Sequence, residues 1–145
     1  MAEDRIFASG DDRRGWKFIH DRTGLLYQEG MWTICREVDG QIVGCFAYTD
    51  FVGTSCQLHM AGASPRWMNK DLLWKAFRVP FEQWELEVML GVIAESNDDS
   101  RRVATKLGFE EFAIVPRAHR DGALVFMKMY RENCRWLDLP RRKHG

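Results

Sequence analysis

Few side chains in this sequence are of a type that can move protons or grip a ligand, and they lie far apart. His59 sits in the run Gln57-Leu58-His59-Met60-Ala61-Gly62, and its imidazole titrates close enough to neutrality to act as a general base. Glu95 closes a second apolar run, Glu87 to Ala94, and can take a proton directly or through a water. Asn97 follows two residues later; its amide can bond a ligand or cap the helix after it, two uses that do not exclude each other. Tyr48 and Asp50 end an earlier apolar run, where they can line a pocket or serve a turn, and His119 falls in a predicted loop, where a solvated imidazole is the plain reading. Plain readings stand beside the others too: a lone strand histidine is commonly a satisfied structural residue.

Other chemistries find no support. Cys35, Cys45, Cys56 and Cys134 form no CxxC pair and have no histidine at ligand spacing, so packed, reduced thiols are expected and no metal site is assigned. No local motif marks a serine or cysteine hydrolase. The 145 residues carry 21 Lys and Arg against 21 Asp and Glu, which leaves no basic footprint for nucleic acid. Hydrophobic residues make up 46% and charged ones 29%, the balance of one globular domain, taken here as residues 1–137 with a flexible basic tail over 138–145. The charged start, MAEDRIFASGDD, does not read as a signal peptide and no apolar run reaches ~18 residues. A protein of the cytoplasm without membrane partners is the expectation.

The candidates must be held by the elements around them. Residues 3–8 can form an edge strand, and Asp11 or Asp12 can cap a helix over 13–22 that stops at Gly24. Runs 31–38 and 41–48 flank Asp39-Gly40, a hairpin signal because both turn positions need positive φ. A turn over 51–54 leads to a strand over 55–61. Leu72, Leu73, Ala76, Phe77, Phe81 and Trp84 recur at helical period across 68–85, with a break expected at Val79–Pro80. The run 87–94 is nearly all apolar, as in a strand buried on both faces. A short helix follows near 99–107, capped by Asn97, Asp98 or Asp99 and stopped by Gly108, and strands over 111–117 and 123–131 surround Asp121-Gly122 with a longer loop.

This β-α-β-β-β-α-β-α-β-β order resembles the GCN5-related N-acetyltransferase (GNAT) superfamily. The most specific residues are Asn97 through Phe109, N-x-x-S-R-x-x-x-x-x-L-G-F, similar to the family segment in which an Asn leads into a helix that ends in Gly-Phe. The wider set, H-x-A-G-x-x-x-R-W from His59, F-x-x-x-F from Phe77 and M-x-R-x-x-C-R-W-L from Met129, resembles small GNAT-like proteins of tailed bacteriophages and prophages. The resemblance covers residues 31–137. It implies an α/β (α+β) fold: a mixed, mostly antiparallel twisted sheet of about 6–7 strands with 3–4 helices on both faces.

It also implies acetyl-CoA as cofactor and an acetyl group passed to a primary amine, on a small molecule or a protein, by direct attack; in a phage-encoded chain this would occur in the bacterial host cytoplasm, and a homodimer is allowed for. The pantetheine arm would pair with the backbone of Met60, Ala61 and Gly62, between two splayed strands. The pyrophosphate would meet the start of the central helix, near Arg66, Trp67, Met68, Asn69 and Lys70. Asn97 would reach the pantetheine or the sulfur, Arg101 a phosphate, and His59 or Glu95 would act as the base. Two departures stand out. The family's glycine-rich phosphate loop is replaced by Gly62-Ala63-Ser64-Pro65-Arg66-Trp67, and Ala104 stands where many members carry a tyrosine acid, seven residues after the Asn. They favour an alternative, a GNAT-fold phage structural, virion or host-interaction protein with weak or no catalysis.

Overall fold

Seven strands form one sheet in the computed structural model, which describes residues 3–140. In chain order the elements are β1 (Asp4–Ser9), α1 (Arg14–Thr23), β2 (Trp32–Val38), β3 (Gln41–Val52), β4 (Ser55–Gly62), α2 (Lys70–Arg78), a π-helical turn (Val79–Gln83), β5 (Val88–Ala94), α3 (Asp98–Leu107), β6 (Glu110–His119) and β7 (Gly122–Tyr130), then two short 3-10 turns. The sheet order is β1-β2-β3-β4-β5-β7-β6. Every neighbouring pair is antiparallel except β4 and β5, which run parallel. This is the mixed, mostly antiparallel sheet expected from the sequence, with helices on both faces.

The two faces carry separate cores. On one, α2 and α3 bury Leu72, Phe77, Ala104 and Leu107 against Phe46, Leu58, Met89 and Val125 of the strands. On the other, α1 sets Phe18 and Ile19 against Cys35, Cys45 and Ala47. Helix α1 lies over β2, β3 and β4. For that reason β5 is not buried on both faces as its apolar run implied: Met89 and Gly91 are buried, while Val88, Leu90 and Val92 on the α1 side are half-exposed.

Local chemistry explains most of the boundaries. Asp39 and Gly40 adopt φ of 49° and 83°, the paired positive values of a type I′ turn, so β2 and β3 form the expected hairpin. Helix α1 has Arg13 at its N-cap position, with no side-chain cap; Asp12 instead accepts the Arg14 N–H at 2.9 Å. Helix α2 ends at Arg78 and widens into the π turn at Pro80. A proline has no N–H to give to the carbonyl four residues earlier, here Ala76; the buried Tyr48 hydroxyl donates to that carbonyl at 2.6 Å instead. Tyr48 is therefore a structural residue.

Two loops differ from expectation. Strand β3 runs on through 51–52, and Asp50 takes a φ of 52° where the register with β4 shifts between Thr49 and Val52. The β6–β7 loop is short, not long: His119 pairs with Gly122, and the extra residues are absorbed by a bulge at Arg117, φ 66°. At the C-terminal end the chain is packed through Leu139, whose carbonyl accepts from Arg78; the basic segment 141–145 lies outside the described residues.

Candidate functional site

Strands β4 and β5 pair only from Ser55 to Gln57 against Val88 to Leu90. Beyond those rungs they separate. Antiparallel pairing with the outer neighbours sets which backbone groups turn into the gap, because bonded and non-bonded positions alternate. Ala63 N–H bonds the Val43 carbonyl and Glu95 N–H bonds the Ala123 carbonyl. Counting back from these, Leu58, Met60 and Gly62 of β4, and Val92 and Ala94 of β5, direct their N–H and C=O groups toward each other across the gap. The opening is a cleft of about 280 Å³, lined from the sheet by Leu58, His59, Met60, Val92, Ile93 and Ala94, from α3 by Asn97, Ser100 and Ala104, and from the end of α1 by Thr23, Gly24 and Leu25.

His59 projects from β4 on the α1 side, and its Nε2 lies 2.8 Å from Thr49 Oγ1. Thr49 is fully buried and its hydroxyl donates to Asp50 Oδ2 at 2.7 Å. A hydroxyl has one proton to give. Thr49 gives it to the carboxylate, so it accepts from His59, and the network assigns the imidazole proton to Nε2 and the lone pair to Nδ1. Burial depresses the His59 pKa below its ordinary 6.5, with the Asp50 charge pulling the other way. Asp50 is itself held below the usual carboxylate range by its bonds from Thr49 and Gln28. The result is a neutral imidazole, fixed in one tautomer, at the edge of the cleft.

The opposite wall is built from the start of α3. Asn97 Oδ1 accepts the Ser100 N–H at 3.2 Å, which is the capping role, and its Nδ2 has no partner among the described residues. Ala104 is buried on the cleft wall, and Ser100 shares that wall. Of the expected site residues, His59, Met60 and Asn97 line the cleft, and the others do not. The Glu95 side chain is exposed and absent from the lining. Arg101 is held away by Glu111, at 2.8 and 2.9 Å, and by the Glu95 carbonyl at 3.0 Å.

At the wide end, residues 62–69 do not form an open glycine cradle. The Trp67 indole lies across Gly62 and Gly44, so that a Cβ on Gly62 would sit 2.0 Å from Trp67 Cδ1; the ring packs on Phe46 at 5.3 Å between centroids. Trp67 and Met68 belong to the edge of the core, and Ala61 packs toward α1. Arg36 reaches from β2 to donate to the carbonyls of Arg66 and Trp67 at 3.0 and 3.1 Å, pinning the loop. Asn69 caps α2 by accepting the Leu72 N–H at 2.8 Å. What remains for an anion is the first-turn N–H of Lys70 and the side chains of Arg66 and Lys70, with Asp71 opposing them in the same turn. The unpaired strand edges thus fit the amide-bearing arm of coenzyme A well, and the loop fits its phosphates less fully.

Sequence reasoning missed Thr49, Ser100 and Thr23 to Leu25. The Thr49–His59 contact is a diagonal cross-strand pair, visible only once Ala47 is known to face His59.

The sequence matches no family model and no curated protein. The fold has many solved counterparts. The spermidine/spermine N-acetyltransferase SpeG of Vibrio cholerae, in a mutant form, superposes with a TM-score of 0.71 at 12% identity over 94% of this chain and 98% of its own. The yncA protein of Salmonella typhimurium, described as a candidate acetyltransferase and solved with its cofactor acetyl-CoA, gives 0.66 at 16% identity, covering 89% and 93% of the two chains. A candidate acetyltransferase from Acinetobacter baylyi gives 0.69 at 16% identity over 97% and 98%. The chain has the GNAT-like fold of these acetyltransferases.

Proposed function

We propose that this protein is an acetyl-CoA-dependent N-acyltransferase acting on a primary amine. The observation that carries the reading is His59: a neutral, tautomer-fixed imidazole beside a cleft whose two strand edges lack sheet partners. When bound, acetyl-CoA supplies an acyl thioester, the carbonyl of which an amine attacks to give the amide and free coenzyme A thiol. Backbone groups of Met60 and Gly62 bond the pantetheine amides as an added strand would. An N–H on the same edge is available to the carbonyl oxygen, where a preorganised donor lowers the barrier. Asn97 contributes Nδ2 from the other wall. His59 Nδ1 takes the amine proton, and its Nε2–H, held by Thr49 and Asp50, steadies the ring as it charges. The pyrophosphate falls to Arg66, Lys70 and the start of α2.

Ala104 leaves the thiol side without a strong acid. A thiolate whose conjugate acid has a pKa of about 8.5 departs without much help, and Ser100 offers a hydroxyl on that wall. The acceptor enters from the α1 side, past Thr23 to Leu25.

Thermal denaturation with acetyl-CoA is the first test. A single native-state site stabilises by about 2.7 kcal/mol at ligand 100-fold above its dissociation constant. Stabilisation by acetyl-CoA, with thiol release that depends on an added amine, supports the reading; no stabilisation at millimolar cofactor overturns it and leaves the non-catalytic alternative.

A further inference from the structure

A second opening, on the other side of Asp50 from His59, has no part in the reaction above. It is a groove of about 670 Å³ between the 28–30 segment, the β3–β4 turn and the end of the π turn. Its wall is aromatic. Trp84 stands at the centre, 5.6 Å from Trp32, 5.5 Å from Phe51 and 5.2 Å from Tyr48 between ring centroids. Trp32 and Phe51 are 37% and 40% exposed, an unusual degree for rings that already pack on a third. Glu29 and Asp50 are the charged residues of the lining, and it holds no Lys or Arg. The Asp50 oxygens are already bonded by Gln28 and Thr49, whereas Glu29 makes no ion pair among the described residues.

We infer that this groove binds a small quaternary or N-methylated ammonium ion, its cationic head against Trp84, Trp32 and Phe51 and its charge balanced by Glu29 and Asp50. The aromatic faces supply quadrupole attraction to a cation, strongest for tryptophan. A primary ammonium has three N–H donors that each require an acceptor, and the groove's carboxylate oxygens are partly used; an alkylated head asks for no acceptors and gains from apolar rings. A neutral apolar ligand would gain nothing from the Glu29 and Asp50 charges at its edge. The groove joins the catalytic cleft through one residue, since the Asp50 carboxylate that borders it also closes the Thr49–His59 chain. The inference does not rest on acyl transfer.

Choline is the probe, and 3,3-dimethylbutan-1-ol, its uncharged isostere, is the control. Both are titrated into the whole protein while the indole N–H resonances of its tryptophans are followed by NMR. The expected result is a saturable shift of the Trp84 and Trp32 signals with choline and at least tenfold weaker binding of the alcohol, which corresponds to about 1.4 kcal/mol. Trp84→Leu should abolish the shift. Because Trp84 also packs on Tyr48, Glu29→Gln and Phe51→Ala at exposed positions serve as the second line, each weakening choline about threefold or more while the remaining spectrum keeps its folded dispersion. Equal binding of choline and the alcohol, unsaturable shifts spread over all the tryptophans, or unchanged affinity in both exposed variants would overturn the inference. Acetyl-CoA stabilisation is measured on the same samples, so failure here is separable from failure of the acyltransferase reading.

Discussion

The two walls of the cleft are made in different ways. The β4 wall places one ionisable side chain, His59, and fixes it with a buried polar chain through Thr49 to Asp50. The wall of β5 and α3 offers small side chains, backbone and one capped helix start, with Asn97 as its chief polar side chain. In the proposed reaction the first wall is therefore sensitive to the identity of single residues, because there the proton is taken at one atom. The second is sensitive to space and backbone position, and most of its side chains can change so long as the room remains.

On that division the largest effect belongs to His59. His59→Ala should lower kcat/KM for the amine by about 10² to 10⁴, the usual span for general acid–base catalysis, while acetyl-CoA still raises the melting temperature; an unchanged rate would move the base elsewhere. Next comes the floor on which the β4 wall rests. Gly62→Ala drives a methyl into the Trp67 ring and should cost about 1–3 kcal/mol by overpacking, read from chemical denaturation. Thr49→Val removes the hydroxyl that sets the tautomer, with a loss of activity of roughly tenfold, about 1.4 kcal/mol, and recovery in Thr49→Ser; a purely structural threonine would leave the pH profile in place.

That profile has a defined sign. His59 has a folded-state pKa below 6.5, so the acid limb that it contributes to kcat/KM lies below pH 6.5. The unfolded chain takes up a proton near pH 6.5 that the folded chain refuses, so folding stability falls as pH drops through that value. Thr49→Val should move the acid limb. On the other wall the effects are smaller. Asn97→Ala removes a cap and should cost about 1 kcal/mol of stability, together with some acetyl-CoA affinity if Nδ2 bonds the ligand. Arg101→Ala should leave acetyl-CoA affinity unchanged, since the guanidinium is engaged by Glu111; a marked loss would restore it to the phosphate site.

The same division explains what could be read from the chain alone. Elements followed from local chemistry: Asp39-Gly40 dictates a hairpin, Pro80 ends α2, and Gly108 stops α3, so their order and approximate bounds were accessible. As candidates, His59 and Asn97 were legible by residue type and by their places within a strand and at a helix start. What was not accessible depends on register and tertiary approach. Nothing near Thr49 in sequence points to His59. Arg101 could not be assigned without knowing that β6 returns Glu111 to its side. Trp67 looked available for a ligand until Gly44, from another strand, was found beneath its ring. The β5 run looked doubly buried because sequence does not disclose where a single helix, α1, stops covering the sheet.

The three rungs that join β4 to β5 have a consequence for how the sheet opens. On one side of them β1 to β4 form an antiparallel leaf from consecutive segments; on the other, β5, β7 and β6 form a second leaf. The seam carries three register pairs, where every other neighbouring pair of strands carries six or seven. With the fewest backbone bonds to hold it, the seam should be the first part of the sheet to open. The cleft lies at the margin of that join, so ligand affinity and local opening of the sheet report on the same junction.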